Sequence, residues 1–383
     1  MPVLRPEDHD RLNWQHQTYA KEEVARRQKA PIHVPAEDTE AQYAARGKVY
    51  VIDPRLGFNH RSFRFWVSAH LPDSETKKKR TLGHRHNIEA VIFILQGRGY
   101  SVVDGVRYDW EPGDFICVPI FAWHRHVCTS DELMVYTAAT TGPLGMALGT
   151  AIYEDDRHPE LWVFAQESEE SAKTLIPGGT SGTKVVYHNE DSHTPLSPMD
   201  TLYGQQLSFA GREEKTRREH KVLVKGKEIK LEKTRMGHVA YVVDPKVGFY
   251  SRVLGSALAE IPPGAHSGAH RHLYEEVNYV LRGRGYSIIE DRRIDWKAGD
   301  TLCIPVFGWH QHFNNGDEPA RFLIYHNRPF MENLGHLLVQ QGEEASRLDV
   351  EPDSRTLYPV LDRLKVDPNL LKRRAEQGRP RFE

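Results

Sequence analysis

From Glu89 the chain reads EAVIFILQGRGYSVVDG: an apolar run, a Gly-x-Gly step, then alternating apolar and polar positions. An apolar run of this length bounded by glycine reads as a buried strand, and strict alternation as a half-buried one. The pair is expected to form a hairpin turning at the GRG of Gly97. PGD at Pro112 marks a turn, and FICVPIFAWHRHV from Phe115 reads as two strands interrupted at Pro119. KEEVARRQKA from Lys21 and REEKTRREHK from Arg212 carry helical patterns. They are expected to be arms with solvated faces that dock against a partner subunit. The tail from about Asp349, ending LLKRRAEQGRPRFE, reads as helical and then frayed.

These patterns occur twice. LQGRGYSVVDGVRYDWEPGDFICVPIFAWHRH from Leu95 matches LRGRGYSIIEDRRIDWKAGDTLCIPVFGWHQH, 186 positions later. Upstream, YVIDPRLGF at Tyr50 matches YVVDPKVGF at Tyr241, 191 positions later. The chain is thus a two-fold duplication, too long in its unit for a solenoid. IPGGTSGT, at Ile176 to Thr183, is the expected linker, giving domains at residues 1–180 and 181–383. Many short strands with glycine turns predict an all-β fold, a sandwich or small barrel in each half.

Composition narrows the function. With 383 residues there is enough chain for two cores, and a net charge of -2 gives no reason to expect nucleic acid or an anionic membrane. No run of about 18 apolar residues occurs, and MPVLRPEDHDRLNWQ lacks the apolar centre of a secretory signal. Three cysteines, Cys117, Cys128 and Cys303, make a poor disulfide set and are expected to be buried thiols, so a cytoplasmic location is expected. Trp110 and Trp296 are read as core residues. GRG precedes a strand, which excludes a phosphate loop. The unusual count is 21 histidines, several of them clustered.

Residues two apart on a strand share a face. In the second half, GAHRHLYEEVNY puts His270, His272, Tyr274, Glu276 and Asn278 on one face, with Glu275 on the other. The matching series in the first half is His84, His86, Ile88, Ala90 and Ile92, so Glu89 points outward. In WHRH and WHQH, His124 shares a face with His126, and His310 with His312. If the strands close into one barrel, these histidines converge. Imidazoles suit iron, zinc, copper or nickel, and an added carboxylate favours manganese or ferrous iron. The same parity reading finds no cation on the inward faces.

These motifs resemble those of the cupin superfamily, and their repetition resembles a bicupin. The implied fold is two tandem cupin jelly-roll barrels (double-stranded β-helices) with helical N-terminal arms and a helical C-terminal tail. The resemblance implies metal ligands His270, His272, Glu276 and His310 in the second barrel, and His84, His86 and His124 in the first. The three-histidine site with Ala90 at the glutamate position, together with the PGDFI…P…WHxH phrasing, resembles the gentisate 1,2-dioxygenase group. That group uses Fe(II) and O2 to open hydroxylated aromatic acids, and bicupins of this kind associate into homo-oligomers. This chain departs from the group in having Ile88 and Ile92 where polar substrate-holding residues stand, and a complete glutamate-containing set in its second half.

The expected function is ring cleavage of a small phenolic or hydroxylated aromatic compound, in either barrel. His126 or His312 would accept the phenol proton. Ile88, Ala90 and Ile92 would wall the ring in the first barrel, and Tyr274 and Asn278 would line the second pocket. Fe(II) is the expected cofactor, with Mn(II) the alternative in the second barrel. Two further readings remain: another 3-His-1-Glu cupin enzyme, such as a decarboxylase or a flavonol-type dioxygenase, and a metal-binding regulatory bicupin without turnover.

Overall fold

The computed structural model describes residues 6–72, 83–155, 201–207, 209–353 and 364–377. The expected linker and domain boundary lie outside them. Arm helices run Pro6–Lys29 and Phe209–Arg218, and a tail helix runs Pro368–Gln377, where the sequence placed them. No helix among the described residues is long and apolar enough to cross a membrane.

Each half is a pair of facing antiparallel sheets. The first half has a larger sheet ordered Leu223–Val224, Phe115–Val118, Ala90–Gln96, Met134–Thr140, Arg64–His70, Lys48–Ile52. Its smaller sheet is ordered Tyr153–Asp155, His84–His86, His124–Cys128, Gly99–Val103, Val106–Trp110. The second half repeats the plan, with Glu276–Arg282 at the centre of the larger sheet and His270–His272 beside His310–Phe313 in the smaller.

The expected GRG hairpin does not form. Ala90–Gln96 pairs with Phe115–Val118 and Met134–Thr140, whereas Gly99–Val103 belongs to the other sheet. Gly97, at φ 83°, carries the chain around the barrel corner, where a Cβ would lie 2.7 Å from the Leu133 carbonyl oxygen. The true hairpin is one element later, joining Gly99–Val103 to Val106–Trp110. Likewise Phe115–Val118 and His124–Cys128, the two strands around Pro119, lie in different sheets.

In the first half, Ala90 to Leu95 is apolar at every position because both faces of the strand are buried. Val91, Phe93 and Leu95 join Phe65, Tyr279, Leu281 and Tyr325 in one core between the two large sheets. Ala90, Ile92 and Ile94 face the other way, into the first barrel with Trp66 and Ile116. The halves are therefore packed back to back, and each barrel keeps a private interior.

The arms are exchanged. His33–Val34 from the first half pairs with Thr301–Ile304 of the second barrel, and Leu223–Val224 pairs with Phe115–Val118 of the first. The aspartate of each turn motif holds the incoming arm: Asp300 accepts from the Ala36 amide at 2.7 Å, and Asp114 from the Gly226 amide at 2.8 Å. Arg27 reaches Glu290 at 3.0 Å and Arg217 reaches Asp104 at 2.9 Å. The basic arm residues expected to face solvent thus cross to the opposite barrel of the same chain.

Glu89, expected to face outward, does leave its barrel but is buried against the other half. It accepts hydrogen bonds from the Arg252, Val253 and Leu254 amides and the Ser251 hydroxyl. Its counterpart Glu275 accepts from the Arg61 and Ser62 amides. Repeated backbone donors compensate two carboxylates that burial would otherwise disfavour.

Candidate metal centres

His84 stands opposite His124 in the smaller sheet, and His270 opposite His310. Side chains from paired strands on one face must meet. In each barrel the three candidate ligand atoms of His84, His86 and His124, or of His270, His272 and His310, lie within 4.8 Å of one another. The two clusters are nearly superposable in their internal distances. Ring centroids of His84 and His124 are 4.2 Å apart, and those of His270 and His310 are 4.1 Å apart.

Backbone carbonyls orient the rings. His124 Nδ1 is 2.8 Å from the Ala122 oxygen, and His270, His272 and His310 present Nδ1 at 3.0 Å to the carbonyls of Gly268, Tyr274 and Gly308. A carbonyl only accepts, so each Nδ1 carries the proton and each Nε2 offers a lone pair to the cluster. His270 Nε2 and His310 Nε2 then face each other at 3.0 Å. His272 Nε2 is buried without a hydrogen-bond partner, 3.3 Å from Glu276 Oε2. Lone pairs converging on one another and on a carboxylate are what a cation resolves, so this donor set fits a divalent metal. Burial keeps the first cluster in the ligating form too, lowering His124 to about 4 and His86 to about 3. A strained clip holds the second histidine of each pair: Phe121 (φ 58°) and Phe307 (φ 62°) donate their amides to the His86 and His272 carbonyls at 2.7 Å.

Glu276 approaches the second cluster at His272 but is not among its three mutually close ligand atoms. His270–His272 and Glu276–Arg282 are strands of different sheets, and the chain crosses the barrel between them. The first cluster has Ala90 at that place, beside Ile92 and Trp66, while Ile88 sits half-buried at the crossover. Tyr274 stacks on His272 with centroids 3.5 Å apart. It lines, with Asn278 and His312, a cavity of about 60 Å³ in the second barrel.

His126 and His312 occupy matching places beside the clusters. Each is held through Nδ1 by a serine, Ser101 at 2.7 Å and Ser287 at 2.6 Å, and each serine accepts from an indole N–H, Trp110 or Trp296. The two tryptophans are buried as expected but also anchor this relay. His312 is engaged on its other nitrogen by Asn278 Nδ2 at 3.3 Å. In the first barrel Ile92 stands at that position and offers no polar atom.

The sequence reading missed a cationic wall. Arg64, Trp66, Ser68 and His70 alternate with Phe65, Val67 and Ala69, which belong to the core between the barrels. Trp66 packs in the first-barrel interior, with Lys48 Nζ 4.4 Å and the Arg64 guanidinium 5.6 Å from its ring. The charge of Arg64 is felt at His86, whose protonation it disfavours. Alternation in RFWVSAH carried the signal, but the expectation of no inward cation came from the histidine motifs alone. Tyr153 is a second missed neighbour, stacked on His84 with centroids 5.5 Å apart. All three cysteines are buried, as expected.

A cupin domain model matches twice, at residues 74–140 and 257–326, one copy over each histidine cluster. The chain carries two cupin domains.

Among curated proteins this bicupin is similar to 5-aminosalicylate 1,2-dioxygenase of Comamonas sp, at 35% identity over 66% of this chain and 63% of that protein. It is similar to 1-hydroxy-2-naphthoate 1,2-dioxygenase of Nocardioides sp. (strain KP7), at 23% identity over 68% of this chain and 62% of that one. The matches thus span under two thirds of the length of both relatives. The bicupin also shares the fold of salicylate 1,2-dioxygenase from Pseudaminobacter salicylatoxidans, with a TM-score of 0.54 at 14% identity over 82% of this chain and 88% of that one. It is similar again to gentisate 1,2-dioxygenase 1 of Aquipseudomonas alcaligenes, at 23% identity over 66% of this chain and 67% of that protein.

Proposed function

We propose that this bicupin is a non-haem Fe(II) dioxygenase that opens the ring of a small hydroxylated aromatic acid of the gentisate or salicylate kind, working in its first barrel. One observation carries the reading: three imidazoles without a carboxylate share an interior with Lys48 and Arg64. Neutral imidazoles leave the full charge of a divalent ion in place, and the two side-chain cations add to it. Such an interior favours an anionic aromatic substrate. The names of the three relatives given above, each a dioxygenase of a hydroxylated or aminated aromatic acid, support the same substrate class.

Held by His84, His86 and His124, ferrous iron would supply the redox chemistry between dioxygen and an electron-rich ring. The chain's own groups do the rest. The guanidinium of Arg64 has its nearest carboxylate, Asp53, at 4.0 Å, and Asp53 is already held by Arg55 at 2.8 Å. Arg64 therefore offers its fork to a substrate carboxylate, with Lys48 as the second positive charge. Trp66, Ile92 and Ala90 form the apolar wall against the ring and keep water from it, with Ile88 at its edge. His126, oriented by Ser101, takes the phenol proton. His312, with Asn278 at its second nitrogen, is the matching residue of the second barrel.

The second cluster, with Glu276, would hold its own divalent ion, Fe(II) or Mn(II). Copies of the chain are expected to associate, which sedimentation of the purified protein tests. The function itself is tested by anaerobic loading with Fe(II), then oxygen uptake with gentisate, salicylate, 5-aminosalicylate and 1-hydroxy-2-naphthoate. The expected result is one O2 consumed per ring opened with at least one of these acids. Stoichiometric iron with no uptake across the panel overturns the reading and leaves a metal-binding bicupin without turnover.

A further inference from the structure

The cavity of the second barrel lies against its metal cluster, and its wall is not that of the first. At matching positions Lys48 becomes Val239, Arg64 becomes Gly255, Trp66 becomes Ala257 and Ser68 becomes Ala259. All but Gly255 line the cavity, so the space exists where the first barrel keeps a tryptophan and its cations. Gly255 makes room in turn for the His326 ring, since a Cβ there would come within 2.3 Å of its Cε1.

Among the described residues, no lysine or arginine lines this cavity. The nearby Arg328 packs over Tyr241, but it is bound to Asp244 and lies 3.4 Å from Glu332. Glu260, which does line the cavity, is bound by Arg321. The wall instead presents neutral polar atoms that lack partners. His326 Nδ1 faces the Arg328 amide at 3.4 Å, which puts the ring proton on Nε2, and Nε2 is buried without a hydrogen bond. Asn278 spends its Nδ2 on His312 and leaves Oδ1 unpartnered. Both residues are about 99% buried and both line the cavity. Buried polar atoms left unpaired cost free energy that a bound group recovers.

We infer that the second barrel is a separate ligand site for a small uncharged hydroxylated molecule, distinct in charge class from the anionic substrate of the first. A hydroxyl both accepts from His326 and donates to Asn278, which a carboxylate does not. The metal environment agrees, because Glu276 removes one positive charge from this centre that the first retains. Tyr241, Phe322 and Ile324 give the cavity an apolar side suited to an aromatic or aliphatic body. The inference rests on the reading that the second cluster holds a divalent ion.

The test uses the full chain with the first cluster disabled, as H84A/H124A, loaded with Co(II), whose visible bands report its surroundings. One cobalt per chain is expected by elemental analysis. The probes are 4-methylcatechol, uncharged near neutral pH, and salicylate, an anion. 4-Methylcatechol should shift the cobalt bands saturably, and salicylate should need at least a ten-fold higher concentration. Restoring the first barrel's side chain with A257W, or filling the space less with A257L, should retain cobalt and weaken the 4-methylcatechol response ten-fold or more. Absence of cobalt, an equal or stronger response to salicylate, or filled variants that respond like their parent would each overturn the inference. Oxygen uptake by the unmodified protein with salicylate is read separately, so a failure here is distinguishable from failure of the first-barrel reaction.

Discussion

The two barrels differ least where metal would bind and most where a ligand would lie. Their histidine triads agree to about a tenth of an ångström in ring spacing, 4.2 against 4.1 Å for the opposed pair and 4.9 against 5.0 Å for the next. Their walls exchange Trp66 for Ala257, Lys48 for Val239, Ala90 for Glu276, Ile92 for Asn278 and Thr140 for His326. The lesson is physical. Ligand atoms are fixed by backbone register and by carbonyls that orient each ring, so they change together or not at all. Wall residues sit on alternating positions of strands whose opposite faces are locked in the inter-barrel core, so they are free to diverge.

The comparison is broken most directly at the ligands. H124A should remove one metal ion per chain and lower ring-opening by at least ~100-fold, given that groups merely supporting a metal ligand are worth about 10–100-fold. H310A should also remove one ion, from the other barrel. If H310A abolishes ring-opening and H124A spares it, the assignment of chemistry to the first barrel is reversed, and elemental analysis with an oxygen electrode decides. Next in size is the cationic wall. R64M should raise KM for a carboxylate-bearing substrate by about 10–100-fold, the equivalent of a lost charge-assisted hydrogen bond of roughly 1.5–3 kcal/mol. R64K should recover only part, because a lysine lacks the planar fork. An equal loss with a substrate lacking the carboxylate would remove Arg64 from that role.

A smaller effect is expected where the barrels meet. E89Q keeps the shape but leaves a charged acceptor's place to a neutral amide, and should cost about 1–3 kcal/mol in urea unfolding. E275Q should cost a similar amount if the pseudo-symmetry of the interface is energetic as well as geometric. The smallest effect at neutral pH, growing only in acid, concerns His326, which burial lowers to about 3. Below the ordinary imidazole value, near 6.5, the unfolded chain binds a proton that the folded one refuses. The group's cost to stability is therefore absent above pH 6.5 and grows as pH falls towards 3, by up to ~1.4 kcal/mol per pH unit. H326T, which installs the first barrel's residue, should flatten that part of the acid limb of a stability–pH curve. An unchanged limb would show that the imidazole is not held neutral.

Much of this was legible without coordinates. The repeated His-x-His and the later WHxH pairs identify both clusters, because period two and duplication constrain the same residues independently. Glu276 was placed by counting along a strand that in fact breaks at Leu273, and the structure sets its carboxylate 3.3 Å from His272 across that break. The hairpin at Gly97 was misread for a related cause. An apolar run and an alternating run look adjacent in sequence, but only pairing tells whether a glycine turns within a sheet or carries the chain to another. The arms looked solvated since charges on a helix say nothing of which barrel supplies the counter-charge, here Glu290 and Asp104.

Periodicity and duplication by themselves determined an all-β chain of two like halves, each with histidines sharing a strand face, since these depend on local spacing that strand geometry translates directly. Only the tertiary structure decided that the arms swap, that Glu89 and Glu275 pin the barrels together, and that Lys48 and Arg64 enter one interior while a cavity opens in the other. Those features join residues tens to hundreds of positions apart, and their energies come from burial and charge pairing that no short stretch of sequence contains.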